Sequence, residues 1–269
     1  MSIIESAYLK NKKTAPESDN EPDAPASKSN QNYRENDPVR SKAKNHIARM
    51  KQSKVYTPEE LANLGLISKD TKDAKLMNEY RNLRTNLLAS SESTNFVTLI
   101  TSISPNFDSS LVTSNIAATF ALDEGKTSIV VNADVHSNKC NHLFDVTPEY
   151  GLVDFIESDQ LPIDQIIYET PINRLRYIPI GNSVESSAEH FSDSRMKKTM
   201  ANIVARYPER YIFVNAPSIA SSADTRILLD ICHKVILVVP YGLATEDNIR
   251  QSVLSIGSDK LAGLVLEEF

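Results

Sequence analysis

The spacing of the apolar positions divides the chain. From residue 95 onward they fall in short runs: Phe96–Ser102, Ser128–Asn132, Leu175–Pro179, Tyr211–Asn215, Lys234–Val239 and Leu261–Leu266. These runs are rich in β-branched residues and alternate little, as strands buried on both faces of a parallel sheet do. Between them the apolar residues take helical spacing over Ser109–Leu122, Ala188–Arg206, Asp224–Cys232 and Thr245–Ser255. Alternating strand and helix predicts an α/β fold, a doubly wound and mostly parallel sheet flanked by helices, with right-handed crossovers. Ligands of such sheets bind beyond the C-terminal strand ends, where the strand order reverses. The loop after Ser102 is predicted to lie there.

Upstream, Thr57-Pro58-Glu59-Glu60 combines a cap, a proline at the first helical position and acids in the first turn. It predicts a short helix carrying Leu61 and Leu64. A longer helix is predicted over Asp73–Ala89, with Leu76, Tyr80, Leu83, Leu87 and Leu88 on one stripe. Residues 1–13 place Ile3, Ile4, Ala7, Tyr8 and Leu9 on one helical face before three lysines, a candidate docking helix or a frayed terminus. Residues 14–56 read as a disordered linker: 14–37 is polar and proline-rich, and Ser41–Ser53 is a basic, solvated stretch. The α/β domain is therefore expected over 57–269, behind a disordered N-terminal extension.

Composition adds little until the glycines are counted. The chain is 41% hydrophobic and 24% charged, ordinary for a globular protein. It holds only 7 glycines in 269 residues, against an average usage of about 7%. That scarcity argues against a glycine-rich ligand loop. The net charge of −6 argues against a nucleic-acid partner. Cys140 and Cys232 have neither metal-ligand spacing nor a paired framework and read as reduced thiols. The five histidines (His46, His136, His142, His190 and His233) show no ligand spacing either. No apolar run approaches the ~18 residues of a membrane span, and the N-terminus lacks a signal-peptide core. The expected location is the cytoplasm.

The stretch that decides the chemistry is 100–118, ITSISPNFDSSLVTSNIAA. Strand, loop and helix follow one another as around a phosphate loop. A phosphate loop needs glycines, so that backbone N–H groups curl round the phosphates, and a lysine to reach their oxygens. Here the turn is Pro105-Asn106-Phe107-Asp108-Ser109-Ser110.

Several stretches together resemble the bacterial tyrosine kinases of capsule and exopolysaccharide synthesis, relatives of the ParA and division-site-selection P-loop ATPases. They include NEYRNLRTNLL (78–88), SISPNFDSSLVTSNIA (102–117), VVNADVHSN (130–138), GLVDFI (151–156), YIFVNAPS (211–218) and VILVVPYGLAT (235–245). The N-terminal MSIIESAYLK and the polar linker after it look like the subgroup of exosortase-associated polysaccharide loci. The family's phosphate loop has the form PGEGKS. Set against it, Asn106 and Asp108 stand at the glycine positions, Phe107 between them, Ser109 at the lysine and Ser110 at the serine. Asn132 stands at the first and Asp134 at the second carboxylate of the strand-end DxD motif, and Asn215 at the Walker B carboxylate.

Magnitudes set the expectation. A lysine ~4 Å from a phosphate contributes about 4 kcal/mol at an effective dielectric of 20, and an aspartate reverses the sign. A micromolar nucleotide site has about 8 kcal/mol in all. The resemblance therefore implies a catalytically degraded kinase-like protein: no catalytic residue and no bound metal or cofactor is expected. Ser110, Asn132, Asp134 and Asn215 would be remnant positions, and Asn106–Ser110 a remnant phosphate loop. Ser109 and Ser110 would serve as helix-start residues and Asp134 as a capping carboxylate. The family's ring-packing helix matches here at Arg81 and Arg84, with Asn78 at the Glu position and Glu79 beside it. Glu79, Arg81 and Arg84 would be oligomer contacts, or the face of an ordinary surface helix. No tyrosine follows Tyr241, so the family's tyrosine-rich acceptor tail is missing. The implied partners are a membrane polysaccharide co-polymerase (chain-length determinant) or an active kinase relative, in a homo- or hetero-oligomer, with membrane association through that partner. Two alternatives stand beside it: an active autokinase or ATPase with ATP and Mg²⁺ on an unorthodox loop, and a ParA-like positioning or membrane-surface module.

Overall fold

The computed structural model describes residues 55–91, 95–181 and 187–268, with the single positions Ile47 and Met50. The candidate docking helix at 1–13 and all of the expected linker except those two positions and 55–56 lie outside the described residues. The chain forms α1 (Pro58–Asn63), α2 (Ala74–Ala89), β1 (Val97–Ser102), α3 (Ser110–Ala121), β2 (Thr127–Asn132), α4 (Lys139–Leu143), α5 (Leu152–Glu157), β3 (Tyr168–Glu169), β4 (Leu175–Ile178), α6 (Ser187–Ser192), α7 (Ser194–Arg206), β5 (Arg210–Asn215), α8 (Ala223–Leu229), β6 (Lys234–Pro240), α9 (Glu246–Ile256) and β7 (Leu261–Glu267). The sheet runs β3-β4-β2-β5-β1-β6-β7 and is parallel except for β3.

Strand side chains alternate between two cores because successive residues point to opposite faces. Leu99, Val131, Val214 and Leu237 face one core with α5 to α9; Ile100, Val130, Phe213 and Ile236 face the other with α1 to α4. Phe96, Phe120, Tyr211 and Phe213 meet in edge and tilted ring contacts that tie α3 to the sheet. The chain passes from β1 outward to β2 and β4, returns to insert β5 between β2 and β1, then continues to β6 and β7 on the far side. The reversal puts the C-terminal ends of β2, β5 and β1 side by side. Among the described residues no helix is long and apolar enough to cross a membrane.

Several expectations are corrected. The predicted helix Ala188–Arg206 is two helices: Asp193 takes an extended conformation and accepts from Arg195 N–H at 2.7 Å, so its side chain starts α7 afresh. In α2 the buried residues are Met77, Tyr80 and Leu87, while Leu76 is 37% exposed. Leu83 and Leu88 pack against the same core as Tyr80 and Leu87, so the predicted stripe departs only at its start, where Met77 takes the place of Leu76. The two-residue β3 and the short helices α4 and α5 carried no apolar period long enough to read. The expected cap at Thr57 forms, and it is reciprocal: Glu60 N–H donates to Thr57 Oγ1 and Thr57 N–H to the Glu60 carboxylate.

Candidate functional site

The site is built where β1, β5 and β2 end. Asn132 and Asn215 are register partners on neighbouring parallel strands, and Asn215 pairs with Ile100 on its other side. Both Asn side chains are completely buried. A buried amide must find partners for its two donors and its oxygen, and Asn215 finds all of them. Its Nδ2 donates to Ser110 Oγ at 3.1 Å and to Asn132 Oδ1 at 3.0 Å. Its Oδ1 accepts from Ser109 Oγ at 2.9 Å and has Thr113 Oγ1 at 3.1 Å. Asn132 in turn donates through Nδ2 to Ser137 O at 3.0 Å and accepts from Asp134 N–H at 3.2 Å.

The loop between β1 and α3 spends its own backbone donors. Ser104 N–H donates to Ser102 Oγ at 3.0 Å and Phe107 N–H to Ser104 O at 3.1 Å. Ser110 N–H, in the first turn of α3, donates to Asp108 Oδ1 at 2.7 Å. The other oxygen of Asp108 accepts from the Ser137 hydroxyl. A carboxylate thus sits at the positive end of α3, where the helix dipole favours an anion, and it is held from both sides of the crevice. Phe107 packs against the α1–α4 core, while Pro105 and Asn106 are exposed.

Most of the candidate residues therefore converge: Asp108, Ser109, Ser110, Asn132, Asp134 and Asn215 form one cluster. Asn106 is exposed. Ser109 is corrected in its role, since its hydroxyl goes to Asn215 and makes no cap bond to the helix; Asp108 does the capping. Asp134 Oδ1 accepts from His136 N–H at 2.9 Å, a turn-capping bond. Burial holds the Asp134 carboxyl above its ordinary range; the His136 N–H bond offsets part of this, and the charges of Asp108 and Asp224 add to it. Glu79 and Arg81 lie exposed on α2. Arg84 differs from them: its Nη1 donates to Thr119 O at 2.9 Å and ties α2 to α3 within the chain.

Sequence reasoning missed Thr113, Ser137 and Cys140. Thr113 lies one helical turn beyond Ser109, a spacing that would have exposed it. Ser137 carried no comparable signal. The Cys140 thiol is fully buried beside Ser110 and Ser114, and burial pushes it up to about 12. Among the described residues no group of His, Cys, Asp and Glu is arranged to hold a metal ion. Three cavities of about 400, 290 and 320 Å³ have other linings: Arg226 with α9, Tyr150 with Leu161, and Met200 with His233.

No protein-family model matches the chain. It is 26% identical over 189 residues to the putative tyrosine-protein kinase EpsB of Ralstonia nicotianae, which covers 70% of this chain and 25% of EpsB. The chain thus spans about a quarter of that relative's length. Against the putative tyrosine-protein kinase CapB of Staphylococcus aureus it is 21% identical over 202 residues, 74% of this chain and 87% of CapB. The kinase domain of the Escherichia coli tyrosine kinase Etk superposes with a TM-score of 0.65 at 21% identity, covering 79% of this chain and 93% of that domain. The chain is therefore related to bacterial tyrosine kinases and has the fold of their kinase domains.

Proposed function

We propose that this protein is a kinase-like scaffold or regulatory subunit in exopolysaccharide synthesis and export, without phosphoryl-transfer activity of its own. The observation that carries this reading is the closed network around Asn215. Two neutral amides stand where the resemblance expects carboxylates, and they satisfy each other and three hydroxyls without a cation. Two aspartates facing each other in the same register would need a cation or a shared proton between them; two asparagines need neither.

The residues present do not fit Mg·ATP. The Ser110 hydroxyl already accepts from Asn215, the α3 N-terminus already holds the Asp108 carboxylate, and the loop offers neither glycine nor lysine. An incoming phosphate would displace Asp108 and lie against it. On this reading the fold is retained for its surface. Glu79 and Arg81 contribute to subunit contacts, while Arg84 acts within the chain. Partners are a membrane polysaccharide co-polymerase or an active kinase relative.

Magnesium-dependent ATP turnover and autophosphorylation test this reading. The purified chain is expected to show neither, alone or with Ser110→Ala as a control. Turnover that Ser110→Ala or Asp134→Asn abolishes would favour the active-kinase alternative.

A further inference from the structure

The opposite end of the sheet, where β2, β4 and β5 begin, holds charge that the crevice does not use. Arg210 opens β5 level with Thr127, about 16 Å along the strands from Asn215 and Asn132. Arg176, on β4, is level with Ile129. Ile129, Ile178 and Ile212 all face the α5–α9 core. Residues two apart on a strand share a face, so Arg176 and Arg210 project from that same face. Arg210 is 7% exposed. Its Nε donates to Thr127 Oγ1 at 3.5 Å, the outer limit of a hydrogen bond, and its guanidinium carbon lies 4.1 Å from the centre of the Tyr207 ring. Among the described residues its Nη atoms have no hydrogen-bond partner and no carboxylate within 4.0 Å, yet neither is fully enclosed. Arg206, exposed, stands 5.3 Å over the same Tyr207 ring.

A charge taken out of water is costly unless hydrogen bonds and an opposite charge replace the water. Burial is the largest influence on Arg210 and lowers its pKa; Tyr207 and Glu209 act the other way, and the charges of Arg176 and Arg206 add to the lowering. Arg176 is paired, its Nη2 donating to Glu169 at 3.3 Å. Three guanidiniums (Arg176, Arg206 and Arg210) thus stand against two carboxylates (Glu169 and Glu209), which leaves one positive charge over. We propose that Arg210, with Arg176 and Arg206 beside it, forms an anion site at this end of the sheet, and that inorganic phosphate is the ion it takes. The Nη edge of a guanidinium matches two oxygens of a tetrahedral oxyanion. One such ion supplies both the hydrogen bonds and the charge that Arg210 lacks. Tyr207 and Thr127 hold the guanidinium plane, so the edge is positioned before the ion arrives. Because so little of Arg210 is exposed, the site takes the free ion rather than an ester carrying a sugar or a nucleoside.

Calorimetric titration of the full chain with sodium phosphate at constant ionic strength, with thermal unfolding in the same buffers, tests the proposal. Saturable binding with a Kd of about 1 mM or tighter is expected. At a tenfold excess over Kd, Tm is expected to rise by about 3 °C or more. Arg210→Lys keeps the charge but not the paired edge, and is expected to weaken binding roughly tenfold. Arg206→Ala, at an exposed position that keeps the fold, is expected to weaken it roughly threefold. Arg226→Ala, at an exposed arginine of α8, leaves binding unchanged. Sulfate competes with phosphate, whereas glucose 1-phosphate and Mg·ATP do not. No saturable heat up to about 20 mM phosphate would overturn the proposal. So would binding indifferent to both Arg210→Lys and Arg206→Ala, binding lost in Arg226→Ala, or competition by the two esters as strong as that by sulfate.

Discussion

Replacing Asn215 by Asp exchanges one NH₂ for an oxygen at constant shape, in a site with no exposed surface. The two donor bonds from Nδ2, to Ser110 Oγ at 3.1 Å and Asn132 Oδ1 at 3.0 Å, are lost together. The Ser110 hydroxyl can rotate and donate, recovering one contact. Asn132 cannot follow, because turning its amide round would abandon Ser137 O at 3.0 Å and face Asp134 N–H with a second donor. Two oxygens are then left facing each other at the former bond distance. A buried acceptor left without its donor costs about 1–3 kcal/mol, and an uncompensated buried carboxylate about 3–5 kcal/mol. Because the Ser109 and Thr113 hydroxyls still point at the new oxygen, a net loss of about 3–4 kcal/mol at pH 7 is expected, against a total of roughly 5–15 kcal/mol for an ordinary domain. Burial would raise the folded pKa of the new Asp above its unfolded value, so the loss is greatest above the folded pKa. It shrinks as pH falls through the folded pKa and is gone only below about 4, the unfolded value, where both states are protonated. Urea unfolding at pH 7 and pH 5 without divalent metal measures this. A variant within about 1 kcal/mol of the parent at pH 7 would refute the reasoning. So would specific recovery by millimolar Mg²⁺, which would mean that the crevice still holds a metal.

Other substitutions probe neighbouring contacts. Asp134→Asn keeps an acceptor for His136 N–H and removes a carboxylate whose folded pKa burial has raised. It is expected to stabilise the protein at pH 7 by up to about 1 kcal/mol, a gain that vanishes below the ordinary carboxylate pKa and is read from thermal unfolding against pH. Arg84→Ala should cost about 1–2 kcal/mol in urea unfolding through the lost bond to Thr119 O and lost packing, whereas Arg81→Ala should be neutral. Gly151→Ala would set a Cβ 2.3 Å from Gly181 N and 2.6 Å from Pro179 O, backbone atoms that cannot give way. A loss of about 3 kcal/mol or more, or failure to express in soluble form, is expected.

The six main strands were legible because each is a short apolar run that serves both cores at once. Their ends moved by one residue at most, as with Arg210 and Pro240. The two Asn residues could be placed at strand ends, but their pairing could not, since it depends on β5 inserting beside β2 and bringing Asn132 level with Asn215. The substitution of Ser109 for a lysine was visible; that its hydroxyl would bypass the helix for Asn215 was not, because both outcomes use the same residue in the same turn. Arg84 matched a surface motif in sequence, and only the packing of α2 on α3 turned it inward to Thr119.

Calorimetric titration of the full chain with ATP and ADP in magnesium, paired with thermal unfolding in the same buffers, bears most directly on the central claim. No heat and no rise in Tm are expected up to millimolar nucleotide, where even a millimolar site would be half filled. Micromolar binding with a matching rise in Tm, weakened by Ser110→Ala, would contradict it and identify the crevice as a working nucleotide site.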